Sequence, residues 1–353
     1  MLRRWRASRG QRRQQQPVLP NPSVWSNRPL GVTPEEIAAN LTEELRELRP
    51  DLPPLRLELD PSLPFFDLML RRDGDAVRMR AGARPGDRVP TNFIQGRAAA
   101  PIWWLLNASE SVETLSISLS DGDQPSLADY AFSAFDPARG LLPDSYFFRR
   151  RGYLRMRHHA LAKAVPWNER EEGVIWRGSV NGQGLYSLLP EMVDHPGVKQ
   201  RLRLALKARD LDGIDMRFVV GEGTDRAALE AAGLLGDRVP PGGWRRRKFA
   251  LDVDGYSNAW SNLIERFHLG CCVLKVDSEY GFRQWYYDRL VPFETHVPVK
   301  ADLSDLEEKL DWIRANDVQC RNIAANGQAL ARSLDFESQT RWAGETITQR
   351  WAG

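Results

Sequence analysis

Apolar residues recur at helical spacing in Ile37, Leu41, Leu45 and Leu48, directly after Thr33-Pro34-Glu35-Glu36. That tetrapeptide offers a capping hydroxyl, a proline at the first helical position and a reciprocal glutamate, so a helix is predicted to start there. Pro50 predicts its end. The pattern then changes period. Leu55-Arg56-Leu57-Glu58-Leu59 alternates as a strand, and Phe66 to Arg71 and Val77 to Arg80 flank the turn Asp73-Gly74-Asp75 as a hairpin. Ala98 to Leu106 is an apolar helix, and Leu115 to Leu119 alternates again before Ser120-Asp121-Gly122-Asp123.

The second half repeats a simpler rhythm of short β-rich runs that each feed a helical stretch. The predicted strands are Gly173 to Trp176, Met216 to Gly221, Phe249 to Val253 and Cys271 to Val276. Predicted helices span Val198 to Arg209, Asn258 to Phe267, a segment opened by a capping box at Ser304-x-x-Glu307, Val318 to Leu330, and an amphipathic tail from Ser338 to Trp351. Strands alternating with helices predict a parallel α/β sheet, with polar groups gathered at the strand ends where ligands bind.

A chain of 353 residues with 42% apolar content suits two domains. The divisions expected are a basic flexible tail over 1–25, an N-terminal α/β domain over 26–165, a C-terminal Rossmann-like domain over 166–335, and a C-terminal helix over 336–353 packing back on the first domain. The net charge of +2 argues against nucleic acid as the partner of the whole molecule. Three cysteines without regular spacing predict neither a disulfide framework nor a zinc site. No apolar run is long enough to span a bilayer, and the basic N-terminus is not followed by the apolar core of a signal peptide, so a cytoplasmic location is expected. The tail itself has two readings. It is a solvated segment, or residues 2–13, with five arginines before Gln14 beyond Arg3, rest on an anionic membrane at the inner face.

The candidate chemistry lies where strands end. Trp176-Arg177-Gly178-Ser179 places a guanidinium, a bare backbone and a hydroxyl together, a set suited to a diphosphate. Asp252-Val253-Asp254-Gly255-Tyr256-Ser257-Asn258 leads a strand through an acidic turn towards a helix start. Asp277-Ser278-Glu279 follows a strand that ends in Lys275-Val276. In order and wording these segments, with Pro292-Phe293-Glu294-Thr295-His296-Val297-Pro298-Val299, resemble glycosyltransferase family 90, which includes fungal capsule-associated proteins, animal protein O-glucosyltransferases and bacterial lipopolysaccharide glycosyltransferases.

The resemblance implies a glycosyltransferase-B fold, meaning two Rossmann-like domains facing across a cleft. It implies an inverting transfer from a UDP-sugar to a glycan or lipid-linked glycan acceptor, such as lipopolysaccharide or capsule, with no metal and no other cofactor. The donor site would comprise Arg177, Gly178, Ser179, Asp254, Gly255, Ser257, Asn258, Ser261, Lys275 and Glu279, the last on the ribose hydroxyls. Asp121 would be the base, Asp123 the second choice and Asp144 a third. His296 is expected to be structural. By the same resemblance, eukaryotic members usually carry an arginine in the first turn of the helix after the acidic strand end, where this chain has Ser261 or Asn262. Two other readings stay open: a non-catalytic nucleotide- or carbohydrate-binding protein of the same fold, and a peripheral membrane adaptor acting through the arginine tail.

Overall fold

A computed structural model describes residues 33–84, 88–220 and 224–352. The basic tail over 1–25, with its membrane contact at residues 2–13, lies outside the described residues.

The first half contains α1 (Pro34–Arg46), β1 (Leu55–Leu59), β2 (Asp67–Asp73), β3 (Ala76–Ala81), α2 (Arg88–Arg97), α3 (Ala99–Leu106), β4 (Thr114–Ser118), β5 (Tyr130–Ala131), β6 (Gly140–Leu141), α4 (Ser145–Arg149) and α5 (Leu154–Ala162). The predicted capping box of α1 forms. Thr33 Oγ1 accepts from the Glu36 amide at 3.2 Å, and Glu36 Oε2 accepts from the Thr33 amide at 2.8 Å. Ile37, Leu41 and Leu45 are buried along one face of that helix. The six strands form one mixed sheet in the order β1-β3-β2-β4-β5-β6. The hairpin strand β2 runs antiparallel to both β3 and β4, whereas β4, β5 and β6 are mutually parallel.

The second half contains β7 (Glu171–Gly178), α6 (Gln200–Arg209), β8 (Ile214–Phe218), α7 (Thr224–Ala231), α8 (Pro241–Trp244), β9 (Arg247–Asp252), α9 (Ser261–His268), β10 (Cys272–Val276), β11 (Val297–Val299), α10 (Leu306–Ala315), α11 (Asp317–Ser333) and α12 (Phe336–Ala352). Its sheet has the order β11-β10-β9-β7-β8, and every recorded pairing is parallel. Read from β7, this is the doubly wound order 2-1-3-4-5, whose direction reverses between β7 and β9. Such a sheet is covered on both faces, so β10 is buried throughout and reads as an unbroken apolar run. Cys271, Cys272 and Cys320 are free, buried thiols.

Each half forms its own α/β sheet, and the loops after β4 and β5 of the first meet the loops after β9 and β10 of the second. A single apolar cluster runs through the seam, joining Trp104, Phe132 and Phe147 of the first half to Leu263, Phe267 and Trp285 of the second. α12 crosses it. Trp103 Nε1 donates to Thr340 Oγ1 at 3.1 Å, and a Cβ on Gly344 would lie 2.2 Å from the Asn107 carbonyl oxygen, so only glycine permits this approach.

Two predicted helix starts move. The box at Ser304 does not form. Leu303 adopts φ 64°, the Ser304 amide donates to Asp302 Oδ1, and Asp305 Oδ1 accepts from the Lys300 amide, so the acidic side chains close a loop and α10 begins at Leu306. α9 begins at Ser261 rather than Asn258, because Trp260 adopts φ 44° and the Asn258 side chain is bound up in loop contacts.

Candidate functional site

Three loops leave the carboxyl ends of β7, β9 and β10 and meet. They close a narrow pocket lined by Gly182, Gln183, Gln200, Arg201, Asp254, Gly255, Glu279, Tyr280 and Phe282. The pocket sits just outside the β7/β9 reversal, where adjacent loops turn to opposite sides of the sheet and leave a crevice.

Arg201 organises it. This buried guanidinium in the first turn of α6 donates to the Asp254 carbonyl at 2.7 Å, the Val253 carbonyl at 3.1 Å, the Ser179 carbonyl at 3.1 Å and Asn181 Oδ1. It also lies 5.2 Å over the Trp176 ring. Burial pulls its pKa down to about 10, opposed by Asp254 and Asp252. One side chain thus ties the loop after β7 to the loop after β9. Gly178 is held by the same indole, since a Cβ there would lie 2.4 Å from the Trp176 ring.

The acidic loop is equally tied. Asp254 is buried, and burial raises its pKa against the opposing influence of Lys275. Asn258 Nδ2 donates to the Phe282 carbonyl at 3.0 Å, and its Oδ1 accepts from Ser133 Oγ of the first half at 2.8 Å. The Gly255 amide donates to the Ser257 carbonyl at 2.7 Å. Glu279 pairs with Arg203 of α6; burial raises its pKa, and Arg203 opposes the shift. Ser257 Oγ and Gln200 Oε1 are buried without a protein partner. Buried polar atoms are nearly always paired, so Gln200 Oε1, whose residue lines the pocket, is left for a polar ligand or solvent, whereas Ser257 lies outside the lining.

From across the seam comes the loop after β4. Asp121 Oδ1 accepts from Arg97 Nη2 at 2.7 Å, and Asp121 keeps 30% of its side-chain surface exposed. The Arg97 guanidinium stacks between the rings of Phe93, at 4.1 Å, and Trp260, at 4.6 Å. Trp260 belongs to the β9 loop, so the Asp121 carboxylate is held against the same loop that carries Asp254 and Asn258. A Cβ on Gly122 would lie 2.4 Å from the Ser133 carbonyl oxygen, and Gly122 has φ 98°. The glycine therefore brings the β4 and β5 loops together beside Asn258. The backbones of Ala134 and Arg283 exchange hydrogen bonds at 2.9 and 3.2 Å, completing the join.

Residues 236–340 match the model of glycosyl transferase family 90. That segment carries Asp254, Gly255, Ser257, Asn258, Ser261, Lys275 and Glu279, whereas Arg177, Ser179, Arg201 and Asp121 precede it. Protein 035R of Invertebrate iridescent virus 3 is 41% identical over 191 residues, which are 52% of this chain and 17% of that protein. Human protein O-glucosyltransferase 3 is 40% identical over 88 residues, 25% of this chain and 17% of that protein. The chain therefore matches less than a fifth of the length of either relative. Sucrose-phosphate synthase from Thermosynechococcus elongatus aligns over 92% of this chain and 96% of its own at 13% identity, with a TM-score of 0.42. The two-halved architecture rests on the sheet order above, not on that likeness.

Within and before the family 90 segment, several expected ligands stand elsewhere. Arg177 is not in the pocket. Strand alternation turns it away from the Trp176 face, and it donates to the Asp237 carbonyl at 3.2 Å, the Asp215 carbonyl at 2.9 Å and Asp215 Oδ2 at 2.6 Å. The buried guanidinium of the site is Arg201 instead. Ser179 is exposed beside the pocket and contributes its carbonyl to Arg201. Lys275 is buried with its Nζ 3.9 Å from Asp252 Oδ2 and does not line the pocket. Ser261 opens α9, half-buried and outside the lining. Asn262 donates to Asp252 Oδ1 at 2.7 Å. Lys248 sits at the amino end of β9, the far end of the sheet, where it pairs with Glu172 at 3.0 Å and Asp317 at 2.8 Å. His296 is buried against Thr295 Oγ1 at 3.1 Å; burial, then Lys275, lowers its pKa to about 4, which suits a structural role. Among the described residues no group of three His, Cys, Asp or Glu could hold a metal ion.

Asp123 is half-exposed and accepts from Gln124 Nε2 at 3.0 Å, with no ion pair among the described residues. Asp144 is fully buried and caps α4 by accepting from the Phe147 amide at 2.9 Å, while Gln284 Nε2 of the second half donates to its Oδ2 at 3.1 Å. It is a strut between the halves rather than a base in the cleft. Burial raises its pKa to about 6. The carboxylate is thus less favoured in the folded chain than in the unfolded one, so stability falls as pH rises from about 4 to about 6. Asp144→Asn never ionises; its oxygen still accepts from the Phe147 amide, and its Nδ2 meets the unpartnered Gln284 Oε1 once that amide turns over. It is expected to flatten that part of the stability profile and to raise the unfolding midpoint at pH 7, as thermal scans at pH 4 and 7 would show. An unchanged difference between the two pH values would refute this account.

Signals for the missed residues were present. Asn181-Gly182-Gln183-Gly184 follows the Arg-Gly-Ser turn directly, and Gly182 and Gly184 take φ 139° and 100°. A Gly-x-Gly after a strand is a recognisable sign of close backbone approach. Nothing local distinguished Arg201 from the other arginines of its helix, or Arg97 from other surface cations.

Proposed function

We propose that this chain is an inverting glycosyltransferase that binds a nucleotide sugar in the pocket of the β7, β9 and β10 loops and uses Asp121 as the base. One observation carries the reading: the pocket lies at the strand-order reversal, and a carboxylate from the opposite half is held against the same β9 loop. The family 90 match and the relation to a protein O-glucosyltransferase support a glycosyl donor.

The donor's diphosphate lies along the glycine-bearing loop at 182–184 and the Gly255 turn, where bare backbone allows close approach. The hydroxyl of the acceptor gives its proton to Asp121 as its oxygen bonds to the anomeric carbon. The bond from that carbon to the diphosphate oxygen breaks, and its electron pair leaves with the diphosphate. Attack from the face opposite the leaving group inverts the centre. The buried Arg201 at the pocket wall and the loop amides balance the growing charge, so no metal is required of the site. Glu279, held by Arg203, faces the pocket as the ribose contact. The donor is UDP-glucose or a close relative, and the acceptor is a hydroxyl of a cell-surface glycan such as lipopolysaccharide or capsule.

Calorimetry against UDP-, GDP-, CMP- and dTDP-sugars, paired with turnover assays with and without EDTA, tests this. Binding confined to UDP-hexoses and EDTA-insensitive turnover are expected. Preference for a GDP-sugar would overturn the uridine assignment, and loss of turnover in EDTA would overturn the metal-free step.

A further inference from the structure

Among the described residues, α5 and the chain around it form a one-sided basic surface. Between Asp144 and Glu169 the sequence holds no Asp or Glu. Arg149, Arg150 and Arg151 at the start of this stretch are spent on Glu44, Glu265 and Glu47. The cations that follow are not. Among the described residues, Arg155 and Lys163 make no ion pair, and both are exposed with His158 and His159. Arg245, brought in from the β9 side, lies with Lys163 within electrostatic reach of His159, and Arg157 and Arg332 lie near His268. The nearby carboxylate of Asp335 is within reach of Arg157.

The apolar residues of α5 divide cleanly. Tyr153 and Ala160 are buried against the core, with Met156 half-buried beside them. Leu154 and Leu161 are 43% and 55% exposed. They are two helical turns apart and so share one outward face, with His158 between them and Arg155 and Arg157 to either side. Exposed leucines flanked by unpaired cations on a helix lying flat on the protein are the pattern of an interfacial contact.

We infer that α5 docks this protein on an anionic lipid surface, Leu154 and Leu161 entering the headgroup region while the exposed Arg155 and Lys163 face lipid phosphates. The leucines decide against nucleic acid, because a phosphodiester backbone offers them nothing to bury against. This contact is separate from the N-terminal arginines and does not depend on the catalytic reading.

The test is flotation of the full chain with vesicles of phosphatidylcholine and phosphatidylglycerol, against vesicles of phosphatidylcholine alone. Each basic residue near an anionic surface raises partitioning about five-fold. Arg155→Glu with Lys163→Glu is therefore expected to lower partitioning at least about twenty-fold. Leu154→Ser with Leu161→Ser should also weaken it several-fold, now with little change in its dependence on salt. Both pairs lie on the outer surface, and circular dichroism should show an unaltered fold. The N-terminal tail is present in every variant, so the ratios isolate α5. Partitioning equal to that of the parent chain in both double variants would overturn the inference. So would α5-dependent binding of a single-stranded oligonucleotide without α5-dependent vesicle binding.

Discussion

Replacing Asp121 by asparagine is expected to lower the rate of glycosyl transfer by about a hundred- to ten-thousand-fold, the range over which a positioned general base contributes. The substitution keeps shape and keeps an oxygen for Arg97 Nη2, now 2.7 Å from Oδ1. It removes only the capacity to take a proton. Donor affinity measured by calorimetry should therefore stay within a factor of two or so, and the unfolding midpoint should barely move. Asp123→Asn should cost far less, because that side chain is directed to Gln124 and lacks the Arg97–Trp260 support. Equal rates for the parent and Asp121→Asn would remove Asp121 from the chemistry. A loss of donor affinity without a loss of maximal rate would reassign it to binding.

The second large effect is expected at Arg201. Truncation to alanine would strip the donor from three carbonyls, those of Ser179, Val253 and Asp254, and from Asn181 Oδ1, all in a water-poor setting. Removing one member of a buried charged network costs about 3–5 kcal/mol. Denaturant unfolding should show that loss, and donor binding should fall beyond detection because the two loops that form the pocket are no longer tied. Arg201→Lys retains the charge but cannot present a planar fork to several acceptors at once. It should recover part of the stability and little of the affinity. If Arg201→Ala unfolded at the parent's midpoint and bound donor normally, the guanidinium would not be what joins the loops.

Much of the architecture was readable from local pattern. The Thr33–Glu36 cap, the hairpin at Gly74 and the apolar run Cys271 to Val276 are each encoded within a few residues, so the structure follows them closely. Misreadings arose where local and distant partners competed. Ser304-x-x-Glu307 has the form of a capping box, yet Asp302 and Asp305 capture the neighbouring amides first. Asn258 looked like the start of a helix, but its amide is committed to Phe282 and Ser133, which are far away in sequence. The mixed order of the first sheet could not be read from alternation either, since period two is the same for parallel and antiparallel strands.

For the site, sequence alone determined that acidic, glycine-bearing turns end successive strands of a parallel sheet, because strand period and turn chemistry are local properties. Asp254 and Gly255 could be proposed on that footing; the roles given to Asp121 and Glu279 came from the resemblance to glycosyltransferase family 90. Tertiary structure decided which cation serves the pocket. Arg177 and Arg201 are both arginines beside a strand end. The alternation of β7 turns one outward to Asp215, and the placement of α6 turns the other inward across two loops. It also decided that Arg97 and Trp260, from opposite halves, hold Asp121 at the seam. Contacts of that kind depend on how two halves of the chain pack together, a relation that no stretch of neighbouring residues carries.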